Sequence, residues 1–145
     1  MVAVAIAELP EVLVARRRLS ILVIDDDQDQ VGVLSHRLGV QGYRTFAAGS
    51  ARYGLEVARA QRPDLILLDL RLPDADGFNV CQALTDDPET CCIPVIILSG
   101  MERPDIIRRS RAVGCQYFVR KPYDPNALLI LIERAIDESH SWRHS

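Results

Sequence analysis

Ile21-Leu22-Val23-Ile24-Asp25-Asp26-Asp27 is the stretch from which the fold can be read. Four apolar residues without polar alternation describe a strand covered on both faces, and three acids directly after it place charge where the strand ends. Outward from this stretch the rhythm repeats. Further apolar runs follow at Tyr43 to Ala47, Leu65 to Leu68, Pro94 to Leu98 and Tyr117-Phe118-Val119. Between them Val31, Leu34 and Leu38, then Leu55, Val57 and Ala58, recur at helical spacing, and Gly39, Gly42 and Gly114 are expected to stop helices. Asp124, Pro125 and Asn126 introduce a last helix with Leu128, Leu129, Leu131, Ile132 and Ile136 as its apolar positions. Five strand-helix alternations predict an α/β chain built on a parallel sheet, with the more polar second strand near an edge.

Composition sets the bounds. The length of 145 residues leaves room for one domain, so a separate output or catalytic module is not expected on this chain. A 48% hydrophobic, 26% charged composition excludes disorder and collagen, and a net charge of -3 argues against nucleic-acid binding by bulk electrostatics. Cys81, Cys91, Cys92 and Cys115 form neither a C-x-x-C pair nor a zinc spacing, so reduced thiols and a cytoplasmic location are expected. No apolar run approaches a membrane span. Met1 to Ala15 is broken by Glu8, Pro10 and Glu11, and its arginines, Arg16 to Arg18, follow the apolar part, the wrong order for a signal peptide. The expected organisation is an N-terminal extension at 1–18, a folded unit at 19–138 and a tail at 139–145. The extension reads either as a helix that docks on a partner or as a loosely ordered leader.

In an open α/β sheet the ligand site forms at the carboxyl ends of the strands. Here those ends carry Asp25, Asp26 and Asp27, then Asp69, then Ser99-Gly100, then Lys121-Pro122. Carboxylates gathered on one rim repel one another, and a hard divalent cation relieves this. Magnesium takes one or two protein carboxylates and keeps positions for water and phosphate oxygens, which points to a phosphoryl group as the other ligand. A serine and a lysine would hydrogen-bond and neutralise it. The lysine stands out by composition: the chain has sixteen arginines and a single lysine, Lys121. A compact point charge is therefore indicated at that position, where a planar guanidinium is not equivalent. Asp27 also reads as the N-cap of the helix that follows, and Pro73, Asp76 and Gly77 read as a turn.

With these motifs in view the chain resembles the receiver domain of two-component response regulators, the family of the chemotaxis response regulator. The resemblance covers about 120 residues and spans every strand end: Ile21 to Asp27, Asp64 to Pro73 with Asp76-Gly77, Pro94 to Gly100, and Phe118 to Tyr123. It implies a flavodoxin-like, doubly wound five-stranded parallel sheet of order 2-1-3-4-5 with helices on both faces. It also implies that Asp69 is the phosphoryl acceptor, attacking a phosphohistidine to give an acyl phosphate. Mg²⁺ would be bound by Asp26, Asp69 and the backbone carbonyl of Arg71, with Asp25 acting through water. Ser99 and Lys121 would contact the phosphoryl group, Phe118 would hold the rotating aromatic position, and the Lys121-Pro122 bond would be cis. The chain departs from the family in having Phe118 where Tyr is usual. Arg71 and Met101, both large, stand two residues beyond Asp69 and Ser99, where they flank the route of the hydrolytic water.

Three functions follow as expectations. The first is a stand-alone switch that takes its phosphoryl group from a sensor histidine kinase or histidine phosphotransfer protein and signals to a protein effector. Its output surface would be the fourth helix, fifth strand and fifth helix, where Arg103, Arg108, Arg109, Arg111 and Arg120 fall, with a homodimer possible. The second is a phosphorelay carrier that needs the same site but no switch. The third is a phosphomonoester hydrolase using Asp25 and Asp27 as a D-x-D pair, ranked last because no substrate cap is evident. A turnover enzyme on a small substrate is not expected, and neither is a nucleic-acid-binding domain or a membrane partner.

Overall fold

A computed structural model of the chain describes residues 19–143, with side chains through residue 140. The docking or leader roles considered for the extension lie outside the described residues. β1 (Ser20–Ile24), β2 (Arg44–Ala48), β3 (Leu65–Asp69), β4 (Val95–Ser99) and β5 (Tyr117–Arg120) form one parallel sheet in the order β2-β1-β3-β4-β5. The intervening helices are α1 (Gln28–Val40), α2 (Ala51–Gln61), α3 (Gly77–Asp86), α4 (Ile106–Ala112) and α5 (Pro125–Arg143). The expected architecture and strand order are therefore found, and the polar second strand is an edge.

The uninterrupted apolar runs serve two cores at once, because successive side chains of a strand point to opposite faces. Leu22, Ile24, Ile66, Leu68 and Ile97 pack with Ala51 and Ala58 of α2, Phe78 and Leu84 of α3, and Ile106 of α4. Ile21, Val23, Leu65, Leu67, Ile96 and Leu98 pack on the other face with Leu34 and Leu38 of α1 and Leu128, Ile132 and Ile136 of α5. Every one of the eleven strand residues just named is at most 3% exposed, which is why neither face could carry polar alternation. The register sets Ile24 beside Ala48 and Leu68, Asp69 beside Leu98, and Ser99 beside Arg120, so the strands end level on one rim.

Several boundaries differ from those expected. Gly39 does not stop α1 but lies within it. The stop is Gly42, at φ 94°, after which the Tyr43 N–H returns to the Leu38 carbonyl at 3.1 Å. Tyr43 thus closes the helix, and β2 begins one residue later than its apolar pattern suggested. Pro94 precedes β4, having no N–H to give to a ladder. Gly114, at φ 85°, does end its helix. Residues 139–143 continue α5 where a tail was expected: Ala135 and Ile136 are still buried, and the Ser139 hydroxyl donates to the Cys92 carbonyl at 3.2 Å. Among the described residues no helix is long and apolar enough to cross a membrane.

Candidate functional site

The level strand ends bring three of the expected site residues into direct contact. The Lys121 ammonium, the first residue beyond β5, donates to Asp69 Oδ2 at 2.8 Å and to Asp25 Oδ2 at 3.2 Å. Both carboxylates are held from their other side by main chain: Asp25 Oδ1 accepts from the Asp27 N–H at 2.9 Å, and Asp69 Oδ1 from the Arg71 N–H at 2.8 Å. Each oxygen pair is thus fixed between a turn and the ammonium, a pre-organised geometry. The Lys121-Pro122 bond is cis, as the resemblance implied, and the Lys121 N–H donates to the Ser99 carbonyl at 2.9 Å, which ties the start of the lysine to the end of β4.

Electrostatics follow from this arrangement. Burial raises the Asp25 pKa above its ordinary value, against the Asp27 N–H and the Lys121 charge, which pull it down. Burial would depress the Lys121 pKa, but the hydrogen bond to Asp69 and the charges of Asp69 and Asp25 outweigh it, and the net shift is upward. The ammonium is therefore held charged among acids.

Not every expected residue joins this contact. Asp26 is exposed on the rim. Ser99 is fully buried, and its Oγ accepts from the Met101 N–H at 3.0 Å. Phe118 is half-buried and packs against the core on the α4 side. With Met101, Ile106, Ile107 and Arg120 it lines a groove of about 490 Å³ beside the site. Asp27 caps α1, accepting from the Asp29 and Gln30 N–H groups at 3.1 and 3.2 Å. That engagement takes Asp27 away from acid-base work and weighs against the D-x-D hydrolase reading.

Two further side chains, Gln30 and Asp74, bear on the site or the loop beside it without having been singled out in the sequence, and Gly77, read there as a turn residue, makes a close approach as well. Gln30 Oε1 accepts from the Lys121 ammonium at 3.0 Å. Asp74 caps α2 from the β3–α3 loop, accepting from Ala51 and Arg52 N–H at 2.8 and 3.0 Å, and these bonds lower its pKa. Gly77 lies so close to β3 that a Cβ there would sit 2.5 Å from Leu70 Cα and 2.7 Å from the Asp69 carbonyl oxygen. The arginines expected to form a basic face are largely paired within the fold. Arg103 meets Asp105 at 3.5 Å, Arg120 meets Glu102, and Arg109 meets Asp76 at 3.8 Å with its guanidinium 4.2 Å from the Phe78 ring centroid. Arg108 and Arg111 are exposed.

Among the described residues no cluster of three or more His, Cys, Asp or Glu side chains forms a ready metal cage. A cation bound through two carboxylates and one main-chain carbonyl, with water completing its shell, needs none. The donor set fits such an ion: Asp25 and Asp69 share a single ammonium and the adjacent Asp26 is exposed, so the acids at these strand ends outnumber the cation that meets them.

Comparison with known proteins identifies the family of this fold. Residues 21–133 match the family model of the response regulator receiver domain. The response regulator PleD of Caulobacter vibrioides is 38% identical over 105 residues, 72% of this chain and 23% of PleD, so the chain spans under a quarter of that relative. The polar-differentiation response regulator DivK of Brucella abortus is 32% identical over 103 residues, 71% of this chain and 84% of DivK. Among solved structures, a CheY-like receiver domain protein from Methanospirillum hungatei superposes with a TM-score of 0.81 at 25% identity, over 86% of this chain and 98% of its own. The chemotaxis response regulator CheY4 of Vibrio cholerae gives 0.76 at 27% identity, over 81% and 98%.

Proposed function

The chain belongs to the response regulator receiver domains of two-component signalling, and on that premise we propose that it is a phosphorylation-controlled switch whose acceptor is Asp69. Members of this family are typically phosphoacceptors and not enzymes acting on small substrates. The observation that carries the reading is the Lys121 ammonium held between Asp69 at 2.8 Å and Asp25 at 3.2 Å on one rim. In the proposed step a carboxylate oxygen of Asp69 attacks the phosphorus of a donor phosphohistidine. The P–N bond breaks, its electron pair stays on the imidazole nitrogen, and an acyl phosphate forms. Lys121 then offers its charge to a phosphoryl oxygen, and the Ser99 hydroxyl is the neighbouring donor. Asp25, Asp26, Asp69 and the Arg71 carbonyl would hold Mg²⁺, which when bound supplies charge neutralisation for the transferring group.

The donor would be a sensor histidine kinase or a histidine phosphotransfer protein, and the output a protein effector or a second copy. The groove formed by Phe118, Met101, Ile106 and Ile107 supports a switch over a pure relay, because a half-buried ring with space beside it can change its packing when Ser99 is drawn to the phosphoryl group. The test is a mass gain of one phosphoryl group on incubation with acetyl phosphate and Mg²⁺, absent in Asp69→Asn. Uptake in Asp69→Asn equal to wild type would overturn the assignment. Unchanged amide resonances across α4 and β5 on saturation with beryllofluoride would favour the relay.

A further inference from the structure

We infer that Gln30 is a positioning residue for Lys121: its amide oxygen keeps the ammonium over the site while the carboxylates that share it take up other ligands. The inference rests on the proposed acceptor role of Asp69. A lysine ammonium has three N–H donors, and here each finds an acceptor: Asp69 Oδ2 at 2.8 Å, Gln30 Oε1 at 3.0 Å and Asp25 Oδ2 at 3.2 Å. Two of these acceptors change during the reaction. Asp69 becomes an acyl phosphate and its negative charge moves outward to the phosphoryl oxygens, while Asp25 turns toward the hydrated cation. Gln30 is neutral and keeps its acceptor through both events. Without it, a head group on a flexible four-carbon stem has no unchanging acceptor to hold it in line while it passes from the carboxylates to the phosphoryl oxygens.

Local structure explains why this glutamine points inward although it is exposed. It lies in the first turn of α1, where its N–H is fixed by the Asp27 cap at 3.2 Å. Four and eight residues on, Leu34 and Leu38 are the buried positions of the same helix. Gln30 therefore stands at the head of the stripe that faces the sheet, directly above the core. A glutamate there would add a third acid to an ammonium that Asp25 and Asp69 already share; the amide supplies the oxygen without the charge.

The single lysine makes the test direct. In ¹⁵N-labelled protein the side-chain ammonium of Lys121 is the only lysine signal, and it is visible only when hydrogen bonds protect its protons from exchange with water. We expect wild type to show it in metal-free buffer and to keep it with Mg²⁺ and with beryllofluoride. Gln30→Leu should lose or broaden it in the loaded states. Gln30→Glu, which retains the oxygen, should keep it, and Gln28→Leu on the same turn should change nothing. Phosphoryl uptake from acetyl phosphate should fall about tenfold in Gln30→Leu, the effect of one hydrogen bond to a charged group, with the amide spectrum showing an intact fold. The inference is overturned if wild type shows no protected ammonium, if Gln30→Leu keeps the signal in the loaded states, or if its uptake equals wild type. Failure of wild type to take up any phosphoryl group would refute the acceptor reading instead, while the metal-free signal would still report the Gln30 contact.

Discussion

Gly77 is where the fold and the site press hardest on one another, and Gly77→Ala turns that pressure into a measurement. The Cβ added there would lie 2.5 Å from Leu70 Cα, 2.7 Å from the Asp69 carbonyl oxygen and 3.1 Å from the Leu70 carbonyl carbon. All three are main-chain atoms, so no rotamer change relieves them. Carbon atoms rest at about 3.5 Å or more, so the start of α3 and the end of β3 must part by about 1 Å. Overpacking of this kind costs about 1–3 kcal/mol. The Gly77 N–H bond to the Leu70 carbonyl, 2.9 Å long, spans the same gap, and its loss adds about 1 kcal/mol. Against this, alanine is favoured over glycine in a helix by about 0.5–1 kcal/mol. The balance is a net loss of about 1–3.5 kcal/mol.

Gly32→Ala provides the contrast, because it makes the same chemical change within α1 where nothing lies within 4 Å of the new Cβ. It should gain about 0.5–1 kcal/mol from helix propensity alone. At a urea m-value of about 1.5 kcal/mol/M, the Gly77→Ala midpoint should fall by about 0.7–2.3 M while that of Gly32→Ala rises slightly. The displaced chain includes the Asp69 carbonyl, so Gly77→Ala should also take up phosphoryl groups more slowly, and Gly32→Ala should not. A Gly77→Ala protein with the wild-type midpoint would refute the close-approach reasoning. One that is destabilised but phosphorylated at the wild-type rate would refute the link to the site.

Asp26→Ala should weaken Mg²⁺ binding by an order of magnitude or more in a calorimetric titration, since few protein ligands hold a half-hydrated ion; an unchanged isotherm would remove Asp26 from the ligand set. Burial raises the Asp25 pKa above 3.8, so the folded chain binds that proton more readily than the unfolded one, and the stability gained is present at low pH and lost as pH rises from 3.8 through the raised value. Asp25→Asn, which keeps an oxygen for the Asp27 N–H, should therefore unfold at higher urea than wild type at pH 7 in metal-free buffer, with the gain shrinking toward pH 4; no gain at pH 7 would contradict the burial cost. Lys121→Arg keeps the charge but spreads it over a plane too broad for a point shared by three acceptors, so its response to beryllofluoride in amide spectra should be impaired while its urea midpoint shifts by less than about 1 kcal/mol equivalent; equal responses would refute this. Charge reversal at exposed Arg108 should slow association with an effector and reduce its salt dependence while leaving phosphoryl uptake unchanged; intact affinity would mark that arginine as merely solvated.

The layered fold was legible because its cause is local. A strand such as Leu65–Asp69, buried on both faces, can only be an unbroken apolar run, and the helices between such runs show their buried stripes in Leu34 and Leu38 or Leu128 and Ile132. What misled was punctuation. Gly39 and Gly42 are equally permissive as residues, and which one carries the left-handed turn is decided by Tyr43: its N–H closes on Leu38 and its ring is buried against the core that Leu38 completes. The same holds at the chain's end. Nothing in Ser139 announces a helix, but its bond to Cys92 comes from a loop 47 residues earlier.

The site divides along the same line. Asp25, Asp69 and Lys121 could be found because each follows a strand, and strand ends of a parallel sheet meet whatever the helices do. Gln30, Asp74 and Gly77 are not at strand ends, and their roles depend on how far α1, α2 and α3 are rotated about their own axes, which an apolar stripe sets only to within one residue. Asp74 shows what that costs a reader of sequence: it sits in a turn beside Asp76, and only the folded chain separates the acid that caps α2 from the acid that caps α3 and meets Arg109. That second acid alters the meaning of the basic face. An arginine paired to the cap of α3 and stacked on Phe78 is less a surface offered to a partner than a tie between α4 and the start of α3, where the loop that follows Asp69 ends. Arg103 and Arg120 are exposed but share their charge with Asp105 and Glu102, so a partner that reads this surface through charge is best tested at exposed Arg108 and Arg111.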